Sequence, residues 1–462
     1  MGGGRTHRPE LDRELCRRCG VCSWDCPARV FESLVAESGS LRGAVFRARP
    51  YPGKPAEAPP CTMTCPLGQD VPAYIAAIAD GDLERAARVV RESNALPSVC
   101  GRVCLAACMR SCTRESIDEG VDIRALKRFA VEATRDLAPA AMPRPELGRA
   151  AVIGGGPAGL AAAHRLVQLG VEAVVFEAEQ RAGGALLESV APFVLPAERV
   201  ADDVAHLERI GVELHLGARA GRDVDCSDLE REFDAVLVAT GARRGLLPAI
   251  GGRRLRGVTD ARSFALRARA GELETENKTL VALGGGPAAL QVARWALRLG
   301  AAEAIVVHSA PRELWPGGAD ALSTAEREGV RVLASHRALA ITGSGGRVEG
   351  LEVAELIGSD SDGVGRPRKR RLGERRRLDA SAVVSARERR PAPGDAPELA
   401  GLERGPLGTL AVDSERRLGR SGWYAAGEAA GGASGVVDSM ASGRLAAGTV
   451  ARDLEAGKAR RS

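Results

Sequence analysis

Two kinds of hydrophobic spacing divide the chain. Between residues 56 and about 137, apolar positions recur every three or four residues, through Val71–Ile78 and again through Ala125–Val131, the period of half-buried helices. From Ala150 onward, short unbroken apolar runs (150–153, 173–176, 235–239, 280–283 and 304–307) alternate with helical stretches. Strands of a buried parallel sheet alternate with their crossover helices in this way. A proline-rich stretch, Pro139 to Pro145, separates the two patterns, and Pro50-Tyr51-Pro52-Gly53 closes an arginine-rich leader. Residues 358–377 are polar and then strongly basic, and read as a surface hairpin or loop. The pattern predicts an α/β protein with two Rossmann-like domains, preceded by a helical segment.

Strand and helix patterns meet twice at a glycine-rich turn. Ala150-Ala-Val-Ile-Gly-Gly-Gly-Pro-Ala-Gly159 is a strand running into G-x-G-x-x-G, with Gly154, Gly156 and Gly159 in the fingerprint and Pro157 and Ala158 opening the next helix. The first glycine permits the tight turn, the second lets a pyrophosphate reach the backbone, and the third lets helix and strand pack closely. The first N–H groups of the helix then face the phosphates. A helix over about 157–169 and a strand over 173–176 follow, ending on Glu177, 23 residues after Gly154, where a carboxylate can bind both ribose hydroxyls. That ordered set favours a dinucleotide site over a chance glycine-rich turn. The pattern returns at Leu280-Val-Ala-Leu-Gly-Gly-Gly-Pro-Ala-Ala289, with Gly284, Gly286 and Ala289 in the fingerprint and His308 after the next strand. A site for NAD usually ends that strand with an acid, and one for NADP with arginine. Arg312 is the nearby cation, so the second unit reads either as an atypical nicotinamide nucleotide site or as a structural Rossmann unit. Nucleotide choice is expected to be weak and to lean towards NADH, with any NADPH use dependent on Arg312.

Composition then removes other classes. At 462 residues the chain has room for two to four domains. Aromatics at 3% leave few rings for stacking nucleic-acid bases, and a net charge of +5 implies no polyanionic partner. No run of about 18 apolar residues occurs, and the start, MGGGRTHRPELDREL, lacks the apolar segment of a signal peptide. A cytoplasmic location without a membrane span is expected.

Eleven cysteines change the picture, because ten of them precede residue 113. Without a secretory signal, metal ligation is a better reading than a disulfide framework. Cys16, Cys19, Cys22 and Cys26, followed by Pro27, form C-x2-C-x2-C-x3-C-P, the run of bacterial ferredoxins. A zinc site more often uses two separated C-x2-C pairs. Cys61, Cys65, Cys100, Cys104, Cys108 and Cys112 form a second set. If the segment is one helix, cysteines four apart lie near one face, drifting about 40° per step; otherwise they occupy successive turns of a loop around a cluster. Cys226 stands alone, and the histidines show no metal spacing.

Three further segments carry a family resemblance. Cys61-x3-Cys65-Pro, Leu96-Pro-Ser-Val-Cys100-Gly-Arg-Val-Cys104 and Ile123-Arg-Ala-Leu-Lys-Arg-Phe129 resemble the iron–sulfur helical domain of the bacterial glutamate synthase small subunit. The same domain opens dihydropyrimidine dehydrogenase and ferredoxin:NADP transhydrogenases, and the likeness covers about residues 56 to 455. It implies two [4Fe–4S] clusters that relay electrons between FAD and a partner. It also implies FAD at the first fingerprint, aided by Arg181-Ala-Gly-Gly184, by the strand ending in Ala239-Thr-Gly241, and by Gly422-Trp-Tyr-Ala-Ala-Gly427-Glu428. The chain departs from the family at several points. Pro59-Pro60 replaces a C-x2-C pair, Glu428 replaces an aspartate, and Ser309 and Ala310 replace two arginines. Pro287 and Gln291 stand for Asn and Asp, and Lys127 or Arg128 stands where some members place a Gln or Glu cluster ligand.

The expected architecture is therefore a ferredoxin-like leader (1–55), a helical iron–sulfur domain (56–145), and a two-dinucleotide-binding flavoprotein. In the latter an FAD-binding domain (146–255 and 395–462) flanks an NAD(P)-binding domain (256–394). The expected activity is electron transfer among NAD(P)H, FAD and [4Fe–4S] clusters, handed to a catalytic partner subunit or a ferredoxin-like carrier. The reverse flow from reduced ferredoxin, or a conduit subunit with a vestigial nicotinamide site, are the rival readings. The basic run from Arg366 to Arg377 could dock an acidic carrier or be a solvated loop.

Overall fold

The computed structural model describes residues 58–316, 318–358, 370–387, 389–391, 401–405, 408–431 and 435–461. The leader cysteines Cys16, Cys19, Cys22 and Cys26 lie outside the described residues. The described residues fall into two compact units, one drawn from 1–184, 198–241 and 393–462 and the other from 185–197 and 242–392. Residues 242–255, expected with the first dinucleotide domain, belong to the second unit, as does the short excursion 185–197.

The first unit opens with helices α1 (Val71–Ala79), α2 (Leu83–Ser93), α3 (Pro97–Val103) and α4 (Ile123–Ala133). Three of them start on an aspartate whose side chain accepts a backbone N–H: Asp70 from Ala73, Asp82 from Arg85 and Asp122 from Ala125. Such caps satisfy donors that the first turn leaves orphaned. Their apolar faces meet in a core of Val71, Tyr74, Ala86, Val90, Ile123 and Val131. The cysteine-rich stretch is not one helix. α3 ends at Cys104, which is extended, and Ala106 takes a left-handed conformation (φ +50°) before a single turn over Ala107–Arg110. Cys100, Cys104 and Cys108 therefore lie around a bend, and the one-face reading fails.

Strand β1 (Gly148–Ile153), helix α5 (Pro157–Gln168), β2 (Val171–Glu177), α6 (Ala197–Arg209), β3 (Glu213–Leu216) and β4 (Ala235–Val238) follow. The second unit holds β5 (Val258–Asp260), β6 (Thr279–Leu283), α7 (Pro287–Arg298), β7 (Glu303–Val307), β8 (Arg331–Leu333), β9 (His336–Ser344), β10 (Arg347–Ile357), β11 (Arg371–Asp379) and β12 (Ala382–Ser385). The chain then returns through β13 (Trp423–Ala425) to the long helix α8 (Val436–Arg461).

Each unit carries a five-stranded parallel sheet, ordered β13-β4-β1-β2-β3 in the first and β5-β12-β6-β7-β8 in the second. In both sheets the strand entering the glycine turn is central, with later strands on either side. Its carboxyl end therefore opens at the point where strand order reverses, the place where such sheets bind ligands. Strands β9, β10 and β11 form a separate antiparallel sheet in the second unit. The basic run from 371 onward is the second arm of an antiparallel hairpin with β10, its side chains mostly exposed, so of the two readings, surface hairpin or loop, the hairpin is the one seen.

Candidate cofactor sites

At the first fingerprint the backbone leaves no room for side chains except at one position. Gly154 has φ +110°, and a Cβ there would lie 2.6 Å from the Ala239 carbonyl oxygen. A Cβ on Gly159 would come within 1.9 Å of the Gly154 carbonyl oxygen, so strand and helix touch at this glycine. A Cβ on Gly156 would meet nothing within 4 Å. Gly156 is also the N-cap of α5, and no side chain caps that end. An open space in front of uncapped N–H groups, including that of Ala158, is the cradle a pyrophosphate needs.

The surrounding elements fix this loop. The Glu177 carboxylate is 6% exposed; it accepts from the Gly155 N–H at 2.7 Å and, through its other oxygen, from the Glu179 N–H at 2.9 Å. These two bonds set the orientation of the carboxylate. Gly183 donates to the Gly155 carbonyl at 2.7 Å, and Gly184 (φ +50°) folds against Gly156. Arg181, on the same turn, is exposed. Gly241 adopts φ +74° just past β4. On the far side, Gly427 (φ +65°) donates to Ser442 Oγ at 3.0 Å, and a Cβ there would lie 2.6 Å from the Ala158 methyl. Glu428, which follows it, is 8% exposed. The sequence-predicted first-site residues thus lie around one turn, with Gly241 one residue past Thr240, whose Cα would be 3.2 Å from a Cβ on Gly154, and with Arg181 exposed.

The second fingerprint repeats the plan with a different rim. Gly284 has φ +145°, a Cβ on Gly286 would meet nothing within 4 Å, and Gly286 caps α7 without side-chain help. Ala289 is fully buried 3.5 Å from the Gly284 Cβ position, so a methyl fits where a glycine is usual. Gln291 accepts from the Ala191 N–H at 3.0 Å.

The rim holds the surprises. The His308 imidazole lies over Gly285, with Cδ2 2.4 Å from where a Cβ would sit, and packs edge-on against Trp315 at 5.5 Å. Burial lowers its pKa to about 4, helped by Arg387 and Arg370, so it is neutral at physiological pH. Arg312, expected as the cation for a 2′-phosphate, makes a two-pronged ion pair with Glu326 instead. Two arginines not expected at this site, Arg370 from the basic run and Arg387, stand at the end of β7. Arg370 donates to the Ser309 carbonyl and approaches Ser335 Oγ at 3.5 Å, and Arg387 acts on His308. The fold back through β9–β11 brings Arg370 to this strand end, and β12, paired beside β6, brings Arg387.

Six of the ten expected metal ligands are described. Cys100 is buried and Cys61, Cys65, Cys104, Cys108 and Cys112 are partly so. Among the described residues no three Cys, His, Asp or Glu side chains form a ready-made metal cage. Their surroundings nevertheless suit an anionic group. Burial pushes the Cys100 and Cys108 thiols up to about 12, while the Lys127 charge opposes this. Thiols so placed ionise when a metal takes the proton's place. The Cys100 thiol lies 3.8 Å from the Met440 sulfur on α8.

The flavin-fold helix α6 also reaches the cysteine helix. Asp203, fully buried, accepts from Ser98 Oγ at 2.9 Å and from the Val99 N–H at 3.1 Å, with the Arg91 guanidinium 3.8 Å away. Burial raises its carboxyl to about 7. The sequence reading missed it, though a signal exists: Asp203 falls between Val200 and Leu207 at core spacing, where an apolar residue belongs.

Residues 148–450 match the family described as pyridine nucleotide-disulphide oxidoreductase, and residues 55–138 match dihydropyrimidine dehydrogenase domain II, 4Fe-4S cluster. The beta subunit of an NADP(+)-dependent formate dehydrogenase from Moorella thermoacetica is 33% identical, over 87% of this chain and 61% of that one. The beta subunit of an NADPH-Fe(3+) oxidoreductase from Geobacter sulfurreducens is 31% identical, over 67% and 47%. The chain thus spans less than two thirds of the length of either subunit. The glutamate synthase [NADPH] small chain of Halomonas elongata is 30% identical over 77% of this chain and 79% of its own. Mycobacterium tuberculosis FprA in complex with NADPH shares the fold, with a TM-score of 0.58 at 19% identity over 68% of this chain and 86% of that one. No helix among the described residues is long and apolar enough to cross a membrane.

Proposed function

Because the chain belongs to the pyridine nucleotide-disulphide oxidoreductase family, with a 4Fe-4S domain ahead of it, we propose that it is an electron-transfer subunit. It moves electrons between a nicotinamide nucleotide and [4Fe–4S] clusters by way of FAD, and exchanges them with a partner subunit in the cytoplasm. FAD, when bound, supplies the exchange between paired and single electrons. The chain's own residues place and hold the cofactors. Gly154, Gly156, Gly159, Gly427 and the N–H groups at Ala158 and Gly159 form the cradle for the pyrophosphate, and Glu177 orients the ribose. Gly284, Gly286 and α7 do the same for the nucleotide. Cys65, Cys100, Cys104 and Cys108 hold one cluster.

The observation that carries this reading is the position of α3. The helix that bears Cys100 packs its thiol on Met440 of α8, and α8 also supplies Ser442 to the Gly427 turn. The cysteines and the flavin cradle thus share one packed frame. NADPH is the nucleotide this reading favours, against the leaning towards NADH expected from the sequence. Arg370 at Ser309 supports it, as do relatives named for NADP(+) or NADPH.

Anaerobic purification with flavin, iron and sulfide counted per chain is the first test, followed by addition of NADPH or NADH. We expect bound flavin whose absorbance bleaches and a cluster signal that then rises. Protein that purifies without flavin, or flavin that neither nucleotide bleaches, would refute the reading and leave a conduit with a vestigial nucleotide site.

A further inference from the structure

Among the described residues Lys127 is the one buried lysine. It sits on α4, which meets α3 so closely that a Cβ on Gly101 would lie 2.8 Å from Cβ of the neighbouring Arg128. Lys127 itself is only 6% exposed, and its ammonium donates to Gln69 Oε1 at 3.1 Å. Gln69 is 2% exposed and is held in turn by Val90 and Asn94. An ammonium has three donors, and burying it without a counter-charge costs several kcal/mol. Three residues earlier on α4, Arg124 donates to the Cys104 carbonyl at 3.0 Å, so this side of the helix lies on the cysteine bend, and the ionisable groups that act on Lys127 are Cys100, Cys104, Cys65 and Cys108. As thiols these carry no charge, and the buried cation has no evident purpose. As cluster thiolates they would supply the missing negative charge.

We propose that Lys127 is the internal counter-ion of the [4Fe–4S] cluster on these four cysteines and holds its reduction potential up. The inference rests on the cluster assignment made above. Reducing the cluster by one electron, from dithionite in the assay or from the flavin in turnover, adds one negative charge to a site that is already net negative. A fixed cation buried beside it favours the reduced form, since net charge and exposure set such potentials. Lys127 acts through the cluster's surroundings and is a positioning and tuning residue, not a catalytic one. The ammonium keeps its proton throughout.

The test uses the anaerobically purified full-length holoprotein in a potentiometric titration read by low-temperature paramagnetic resonance. Cys100→Ser identifies which signal belongs to this cluster. Lys127→Met should keep the parent iron count and favour the oxidised form about tenfold at fixed potential, equivalent to about 59 mV for a one-electron couple. Lys127→Arg should stay within about threefold of the parent. If Lys127→Met loses iron while Lys127→Arg keeps it at the parent potential, the charge is still what the cluster requires and the inference stands. A parent-like potential in Lys127→Met overturns it, and so does equal loss of iron in both variants, which would show a role of shape alone. Should Cys100→Ser leave both the iron count and every paramagnetic signal unchanged, the cluster assignment falls and the inference with it, whereas a changed signal in Cys100→Ser beside a parent-like potential in Lys127→Met overturns the inference alone.

Discussion

Removing Asp203 should loosen the cysteine helix, and by an amount that shrinks as pH rises. In Asp203→Ala the Val99 N–H and Ser98 hydroxyl lose their acceptor inside the protein, and each orphaned buried group costs about 1 to 3 kcal/mol. The Arg91 guanidinium, 3.8 Å away, also loses its nearest carboxylate. Against this stands the cost of burying the carboxylate. Burial lifts its pKa from 3.8 to about 7 despite Arg91, so desolvation outweighs the ion pair. The folded protein therefore holds this proton where the unfolded chain has released it. The Asp203 contribution is fully present below about pH 4 and declines as pH rises towards about 7. One pKa unit is about 1.4 kcal/mol, so about 2 kcal/mol of the difference between parent and variant should vanish between about pH 5.5 and 7. Hydrogen exchange of peptides covering 97–103, corrected for intrinsic rates, measures local opening directly. At about pH 5.5 exchange in the variant should be faster by one order of magnitude or more. By about pH 7.5 the gap should close roughly 30-fold. A gap that stays constant or widens with pH would show that the Arg91 pair dominates and that the weighing of burial is wrong.

Gly156→Val places its branch in open space, so it should leave the melting temperature within about 1 °C while the protein purifies without flavin; retention of stoichiometric flavin refutes the cradle. Gly159→Ala, whose Cβ would strike the Gly154 carbonyl, should instead cost about 1 to 3 kcal/mol of stability, read by thermal unfolding of the apoprotein. Arg370→Ala should raise Kd for NADPH about tenfold or more and leave NADH unchanged, whereas Arg312→Ala should change neither; the reverse pattern would return the 2′-phosphate to Arg312. Binding of NADH, which has no titrating 2′-phosphate, should be flat between about pH 6 and 8, because His308 titrates near 4; a step near neutrality with NADH would mean that the imidazole carries charge at the rim.

The parts of the site written in short-range sequence were legible, and those assembled by long-range contacts were not. Gly154, Gly156, Gly159 and Glu177 act over one strand–helix–strand unit, whose spacing is fixed by the chain itself. The same holds for Gly284 and Gly286. Arg312 misled because proximity in sequence was read as reach; three residues beyond Ser309 it turns to Glu326 on a later helix. Arg370 sits at Ser309 only because β9, β10 and β11 fold back as an antiparallel sheet. The strand β11 is hard to see beforehand. Its Arg-rich sequence alternates nothing, since most of both its faces are exposed. The bend in the cysteine segment was hidden for a different reason. Ala106 takes a left-handed conformation that sequence assigns to glycine, and the surrounding contacts have to hold it there.

Asp203 and Lys127 are both charged residues at helix positions that the apolar period reserves for the core. Neither is an economical way to stabilise a fold, since apolar residues of similar size would pack at least as well. What they share is α3. Asp203 holds the first turn of that helix through Ser98 and Val99, and α4, which carries Lys127, packs against it at Gly101. Together with the Cys100–Met440 contact they fix both the rotation of α3 and its position against the flavin fold. Apolar packing alone leaves a core less uniquely ordered, and the directional bonds to Asp203 add a penalty against any rotated or shifted setting of α3. Such a slip would take Cys100 away from its three companions. Replacing the pair in Arg91→Met/Asp203→Leu should therefore restore or raise stability relative to Asp203→Ala, yet broaden the cluster's paramagnetic signal as α3 loses its single register. A double variant with a sharp parent-like signal would show that apolar packing alone specifies the helix, and that the buried charges have no part in placing the cysteines.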